Sequence, residues 1–304
     1  MRWQGRRQSS NIRDVRGSGG GFGGSRGGFG GLGGGLGRGG SFGGRRLGGG
    51  GIGVIIVVLI VAWLAGINPL QLLTGEVPSG PSSQQIGTGS GVNDEMRDFV
   101  ATVLADTEDT WSAIFQEAGE DYPEPTLTLF SNSVSSACGY ASAATGPFYC
   151  PGDRNLYIDL SFYDELRGRF GAPGDFAQAY VLAHEVGHHV QNVLGILRKI
   201  RDRQESLSEA ESNALSVRTE LQADCFAGIW ANRTARQGIL EPGDIDEALT
   251  AAAAVGDDTL QKAGQGHIVP DSFTHGTAKQ RADWFRRGYE QGSLDSCDTF
   301  SGDI

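Results

Sequence analysis

Two histidines and a glutamate stand where a helix could aim them at one metal ion. They lie in the run Val181-Leu182-Ala183-His184-Glu185-Val186-Gly187-His188-His189. Positions i and i+4 share a helix face, so His184 and His188 can address a single ion. Neutral imidazole is a good ligand for Zn2+. Glu185 follows the first histidine and can reach the ion's water without ligating the ion, which is the place of a general base. The same pattern can be a polar helix face that happens to hold histidines. Here the flanking Tyr180, Val181, Leu182, Ala183 and Val186 are apolar, so the helix is expected to be buried. Buried histidines and carboxylates need partners, and a metal supplies them.

A catalytic zinc takes a third protein ligand and keeps one position open. The five histidines are His184, His188, His189, His267 and His275. His189 is rotated about 100° from His188 on a helix and does not readily join. The better candidate is Glu220, in Thr219-Glu220-Leu221-Gln222-Ala223-Asp224-Cys225. Glu220 and Asp224 are again i and i+4. Glu220 can ligate, and Asp224 can accept the free ring N–H of a ligand histidine and so fix its tautomer. An exposed acidic pair is the bland alternative. Leu221, Ala223, Phe226, Ala227, Ile229 and Trp230 around it argue for a packed helix.

On these two segments the chain resembles the bacterial neutral zinc metallopeptidases, which carry an N-terminal membrane anchor, an HExGHH motif and a later E-x-Q-A-D-C segment. Here those read His184-Glu185-Val186-Gly187-His188-His189 and Glu220-Leu221-Gln222-Ala223-Asp224-Cys225. The resemblance is read over about residues 92–295, with the tail and linker outside it. More distantly the chain is similar to gluzincin peptidases of the HtpX type. Those place a Pro-Gly turn and a strand before the zinc helix, matched by Pro151-Gly152 and Tyr157-Ile158-Asp159-Leu160. They also carry a T-H-P segment with an Arg six residues after the His. Thr274-His275-Gly276 and Arg281 stand at that spacing, with Gly276 in place of the proline.

The resemblance implies a gluzincin-type zinc peptidase with one Zn2+ per chain, held by His184, His188 and Glu220. It implies Glu185 as general base, and Asp224 and Arg281 behind the ligands. A tetrahedral intermediate needs an oxyanion donor besides the metal. His275, held by neighbours including Arg281, is the expected one; a surface histidine ahead of a helix cap at Thr277 is the alternative. His267 is a weaker candidate. Tyr157–Leu160, read as an edge strand, is expected to pair with an extended peptide substrate.

These residues need elements to position them. Val92 to Glu117 shows helical spacing of Met96, Phe99, Val100, Val103, Leu104, Trp111 and Ile114. Thr126 to Phe130 alternates, and Asn155 to Leu160 forms a second strand. A short helix covers Tyr163 to Phe170. Long helices are expected over Asp175 to about Ile200 and about Ser206 to Arg236. Two more follow, from Gly243 or Asp244 to Val255 and from Thr277 to about Tyr289. The fold class is α+β, a mostly helical zincin-like domain over 92–304 with a small sheet.

The N-terminal third reads differently. Residues 1–50 form an Arg/Gly-rich tail, with more than half of Gly17 to Gly53 being glycine, expected to be disordered and cytoplasmic. To Arg46 the tail carries +8, which leaves −19 of the net −11 for the remainder. Gly51 to Ile67 has no charge, and with residues to 73 it reaches the about 17–25 residues of a membrane-spanning helix. Residues 51–73 are read as an uncleaved signal-anchor, 74–91 as a flexible linker, and the catalytic domain as periplasmic or otherwise extracytoplasmic. All four cysteines follow the anchor, which suits an oxidising compartment. The expected pairs are Cys138–Cys150 and Cys225–Cys297, with buried free thiols as the alternative.

The partners implied are a peptide or protein substrate and a membrane, reached through the one helix. No nucleic acid is expected, because the tail offers only isolated Phe22, Phe29 and Phe42 for stacking. Three other readings stand beside the endopeptidase: a catalytically silent zinc-binding envelope scaffold, a zinc hydrolase of a non-peptide amide, and an adaptor working through the tail. The scaffold has no need of Glu185.

Overall fold

The computed structural model describes residues 1–17 and 92–304. The anchor expected at 51–73, the linker 74–91 and most of the Gly/Arg tail lie outside the described residues. Among the described residues no helix is long and apolar enough to cross a membrane.

In chain order the elements are β1 (Ile12–Asp14), α1 (Val92–Glu117), β2 (Thr126–Phe130), β3 (Ser133–Ser136), β4 (Gly139–Ser142), β5 (Phe148–Cys150) and β6 (Asn155–Asp159). There follow α2 (Phe162–Gly168), α3 (Asp175–Val193), α4 (Ile196–Gln204), α5 (Glu209–Arg236), α6 (Asp244–Ala254), α7 (Asp257–Gln265) and α8 (Ala278–Gln291). Among the described residues the fold is mostly helical with two small sheets, an α+β arrangement.

The main sheet has the order β1-β2-β6-β5, with β1, β2 and β6 parallel and β5 antiparallel to β6. The alternation in β2 sends Leu127 and Leu129 into the main core. All five residues of β6 are buried. Tyr157–Leu160 is therefore not an edge strand, contrary to expectation: β6 lies between β2 and β5, and those two take up its hydrogen-bonding groups. The edges belong to β1 and β5, three-residue strands too short to show a period in sequence.

The long helix expected from Asp175 to about Ile200 stops at Val193. Gly195, with φ of 72°, turns the chain into α4. A capping box starts α5, where the Ser208 and Glu211 side chains each meet the other's backbone N–H. Thr277 and Gln280 start α8 in the same way. Helix α3 packs between α5 and α6, and α5 lies against α8. Gly228 on α5 and Gly288 on α8 let those two backbones meet, since a Cβ at either would strike the other helix.

Residues 1–17, expected to begin a disordered tail, are an ordered strap on the domain. Ile12, Arg13 and Asp14 pair with Leu127, Thr128 and Leu129 of β2. The Met1 side chain is buried in the core, and its ammonium meets Asp175 at 2.8 Å and Asp244 at 3.3 Å. Arg6 reaches Asp106 at 3.4 Å, and Arg7 spans Glu108 at 3.1 Å and Asp109 at 2.8 Å. The tail's charge suggested a solvated run because these carboxylates lie about a hundred positions further along the sequence.

Both expected disulfides are formed, Cys138–Cys150 between the β3–β4 hairpin and β5, and Cys225–Cys297 between α5 and the turn after α8.

Candidate metal centre

Helix α3 supplies His184, Glu185 and His188, and α5 supplies Glu220. The approach of the two helices depends on Gly187. A Cβ there would stand 2.9 Å from the Ala223 carbonyl oxygen and 3.1 Å from the Ala223 Cα. The motif glycine thus lets the α5 backbone come within reach of both histidines.

His184 Nε2 lies 3.2 Å from one Glu220 carboxylate oxygen, and His188 Nε2 lies 3.4 Å from the other. One donor atom from each of the three residues lies within 4.8 Å of the others. A tetrahedral zinc with bonds of about 2.0–2.1 Å has ligand–ligand edges of about 3.3 Å. Each histidine–glutamate separation is close to that length, one to each carboxylate oxygen. Two imidazole nitrogens and a carboxylate are also a donor set suited to zinc.

The remaining ring nitrogens are engaged elsewhere, which leaves both Nε2 atoms for a metal. His184 Nδ1 donates to Asp224 Oδ1 at 2.8 Å. Asp224 is fully buried and also accepts from Tyr180 Oη at 2.5 Å. Arg281 grips both Asp224 oxygens, through Nε and Nη2 at 2.9 Å each. His188 Nδ1 donates to Gln191 Oε1 at 2.9 Å. Gln191 in turn donates to the Thr219 carbonyl at 2.7 Å and to Gln222 Oε1 at 3.1 Å, and Gln222 donates to the Cys297 carbonyl at 3.0 Å. His184 is oriented by a charged network and His188 by a neutral amide relay.

The electrostatics follow. Burial works against charging His184, but Asp224 and Glu220 outweigh it and raise its pKa to about 10 in the metal-free protein. His188 is raised too, with burial overcome by Glu220. Burial also opposes the Glu220 carboxylate, yet the two histidines hold its pKa well below the usual range. Asp224 is lowered against burial by Arg281 and His184. The metal-free site thus binds protons where a cation would sit.

Glu185, on the same helix as the ligands, is only 8% exposed. Its charge acts on Tyr163, whose buried hydroxyl has no hydrogen-bond partner among the described residues and whose pKa is pushed up by burial and by Glu185. His275 is not one of the three clustered donors. Its Nδ1 faces Asp257 Oδ1 at 3.2 Å. Asp257 Oδ2 accepts the backbone N–H groups of Thr274, His275 and Gly276 at 2.7, 2.6 and 3.1 Å. Burial lowers the His275 pKa, but Asp257 and Glu220 together raise it, and its charge helps to depress Glu220. Arg281 does not hold His275 as expected, because its guanidinium is taken by Asp224; Asp257 holds it instead.

His189 is turned away from the cluster of His184, His188 and Glu220. It is fully buried, with Nε2 donating to the Pro123 carbonyl at 2.6 Å and Nδ1 facing Tyr149 Oη at 3.0 Å. Burial lowers its pKa to about 4, so the ring is neutral near pH 7. It fastens edge strand β5 to α3. His267 is exposed; its Nδ1 faces the Gln265 carbonyl at 3.1 Å and its own carbonyl accepts from Gln265 Nε2 at 3.2 Å.

Sequence reasoning missed Tyr180, Gln191, Gln222, Asp257 and Tyr163. Helical spacing held a signal for two of them: Tyr180 is four residues before His184, and Gln191 is three after His188. The partner of His275 had no local signal.

Comparison with known proteins agrees with this geometry. The family model described as "Putative neutral zinc metallopeptidase" matches residues 1–300. The chain belongs to this family. The match starts at the first residue, so it includes the strap, which the sequence resemblance over 92–295 left out. The chain is 48% identical over 308 residues to the "Uncharacterized protein YpfJ" of Escherichia coli K12, covering all of both chains. It is 44% identical over 258 residues to uncharacterized proteins of Mycobacterium bovis and Mycobacterium tuberculosis, covering 79% of this chain and 85% of theirs. No solved structure matches the chain.

Proposed function

We propose that the chain is a zinc-dependent endopeptidase. One observation carries the reading: His184 and His188 bring Nε2 to 3.2 and 3.4 Å respectively from a Glu220 carboxylate oxygen, the three residues offer donor atoms within 4.8 Å of one another, and Glu185 stands next to His184. Bound zinc supplies Lewis-acid polarisation and a water of lowered pKa. Glu185 accepts the proton of the attacking water and returns it to the departing amine. His275, whose pKa Asp257 and Glu220 raise against burial, offers its Nε2–H to the oxyanion that develops on the former carbonyl oxygen. Asp224 and Gln191 keep the ligand rings in the tautomer with Nε2 inward.

The substrate is a peptide or protein. With β6 enclosed, strand addition passes to edge strand β5, which His189 and Asn192 of α3 fasten through Tyr149 Oη at 3.0 and 2.9 Å. The two disulfides support an oxidising, extracytoplasmic compartment.

The test is peptide turnover by the full chain and by Glu185→Gln, with zinc measured in both. Equal zinc content with turnover reduced by about 10²–10⁴-fold is expected for loss of a general base. Equal turnover in the two proteins would remove Glu185 from the chemistry. Turnover in neither, with zinc bound in both, would favour a silent scaffold.

A further inference from the structure

The strap conflicts with the topology suggested by sequence. Residues 1–17 and 92–304 flank the apolar stretch 51–67, and a single crossing there would put them on opposite faces of a membrane. Yet the two parts are one folded unit. The Leu127 N–H donates to the Asn11 carbonyl at 2.8 Å, and the Val15 N–H donates to the Leu129 carbonyl at 2.9 Å, so β1 is stitched to β2 along its length. Behind it, the Ser9 N–H donates to the Ala101 carbonyl of α1 at 2.9 Å. The Glu108 side chain, 2% exposed, is satisfied by the strap: Ser9 Oγ, Asn11 Nδ2 at 2.9 Å, and both Arg7 Nη atoms at 3.1 Å. Without the strap this carboxylate would lose these partners.

We propose that residues 1–17 and the metallopeptidase domain occupy the same side of any membrane the chain meets, so that the stretch between them is not a single crossing. Part of the basic charge that pointed to a cytoplasmic tail has another explanation in the structure. Arg6, Arg7 and Arg16 face Asp106, Glu108 and Asp14 respectively. Arg6 and Arg7 dock the strap on α1, which removes those two as evidence for the positive-inside rule, while Arg16 pairs within the strap. Length excludes a return crossing. Two helical passes need about 40 apolar residues, and residues 51–73 provide barely one. The disulfides of the domain then place the strap in the same oxidising compartment. None of this depends on the peptidase reading.

The test uses the full chain with one added cysteine, at Ser10 in the strap or at Arg198 in the domain. Ser10 is exposed, and the Arg198 side chain is 83% exposed. Sealed spheroplasts are treated with a membrane-impermeant maleimide, and the same treatment follows detergent lysis. The expected result is one pattern for both variants, the sealed-to-lysed labelling ratio of Ser10→Cys equalling that of Arg198→Cys. Labelling of one position in sealed spheroplasts and of the other only after lysis would overturn the proposal. A second readout is the melting temperature of purified full-length Arg7→Glu. A fall of several degrees is expected from loss of its partners on α1, and an unchanged value would show that the strap does not dock in solution.

Discussion

Replacing Asp224 with asparagine separates what this residue does for the metal from what it does for the fold. Asparagine keeps an acceptor oxygen for the Nδ1–H of His184. It removes the charge opposite Arg281, whose side chain is 4% exposed and whose Nε and Nη2 both donate to Asp224 at 2.9 Å. Breaking one partner of a buried ion pair costs about 3–5 kcal/mol. For a domain of this size each kcal/mol moves the melting temperature by about 2–4 °C, so a fall of about 6–20 °C is expected. Loss of a carboxylate behind a ligand histidine weakens metal binding by about 10–100-fold. Thermal unfolding of the metal-free protein reads the first effect, and competition for zinc against a chromogenic chelator reads the second. The double variant Asp224→Asn/Arg281→Met removes the stranded cation. It should recover most of the melting temperature and little of the zinc affinity. The reasoning fails if the single variant melts like the parent, or if the double variant restores zinc affinity along with stability.

Three further outcomes are expected. His184 is raised to about 10 without metal, so its protonation stabilises the metal-free fold fully below pH about 6.5 and is lost as pH climbs towards about 10. The melting temperature of the metal-free protein should fall across that window, while zinc affinity strengthens by up to about tenfold per pH unit for each proton displaced; pH-independent zinc affinity would contradict this. His189→Ala should retain about one zinc per chain but lose stability beyond its cavity by about 1–3 kcal/mol, since Tyr149 Oη and the Pro123 carbonyl each lose a partner. Loss of zinc with unchanged stability would instead make His189 a ligand. Removing the Cys225–Cys297 bridge, which spans 72 residues, should cost about 4 kcal/mol by loop entropy, against about 3 kcal/mol for Cys138–Cys150, which spans 12. Urea unfolding of the two Cys→Ala pairs ranks them, and the reverse order would refute the loop argument.

How legible this was depended on sequence distance. His184, His188, Glu220 and Asp224 were readable because helical spacing groups them locally and apolar neighbours mark both helices as packed. The meeting of those helices was not readable; it needs Gly187 against Ala223, a contact between positions 36 apart. The same limit hid Asp257, which reaches His275 across 18 positions, and made Arg281 look like its holder. Strands β1 and β5 are too short for alternation to show, so β6 was taken for an edge. The strap was misread for a related reason. Arginines in a glycine-rich sequence look solvated until their buried partners on α1 are known.

The most direct measurement is zinc content of the purified full chain, strap included, beside Glu220→Ala, after expression in zinc-replete medium with disulfides formed. The account predicts about one zinc per parent chain and a clear loss in the variant. A parent chain without zinc, or a variant that holds zinc as tightly as the parent, would contradict the three-ligand site.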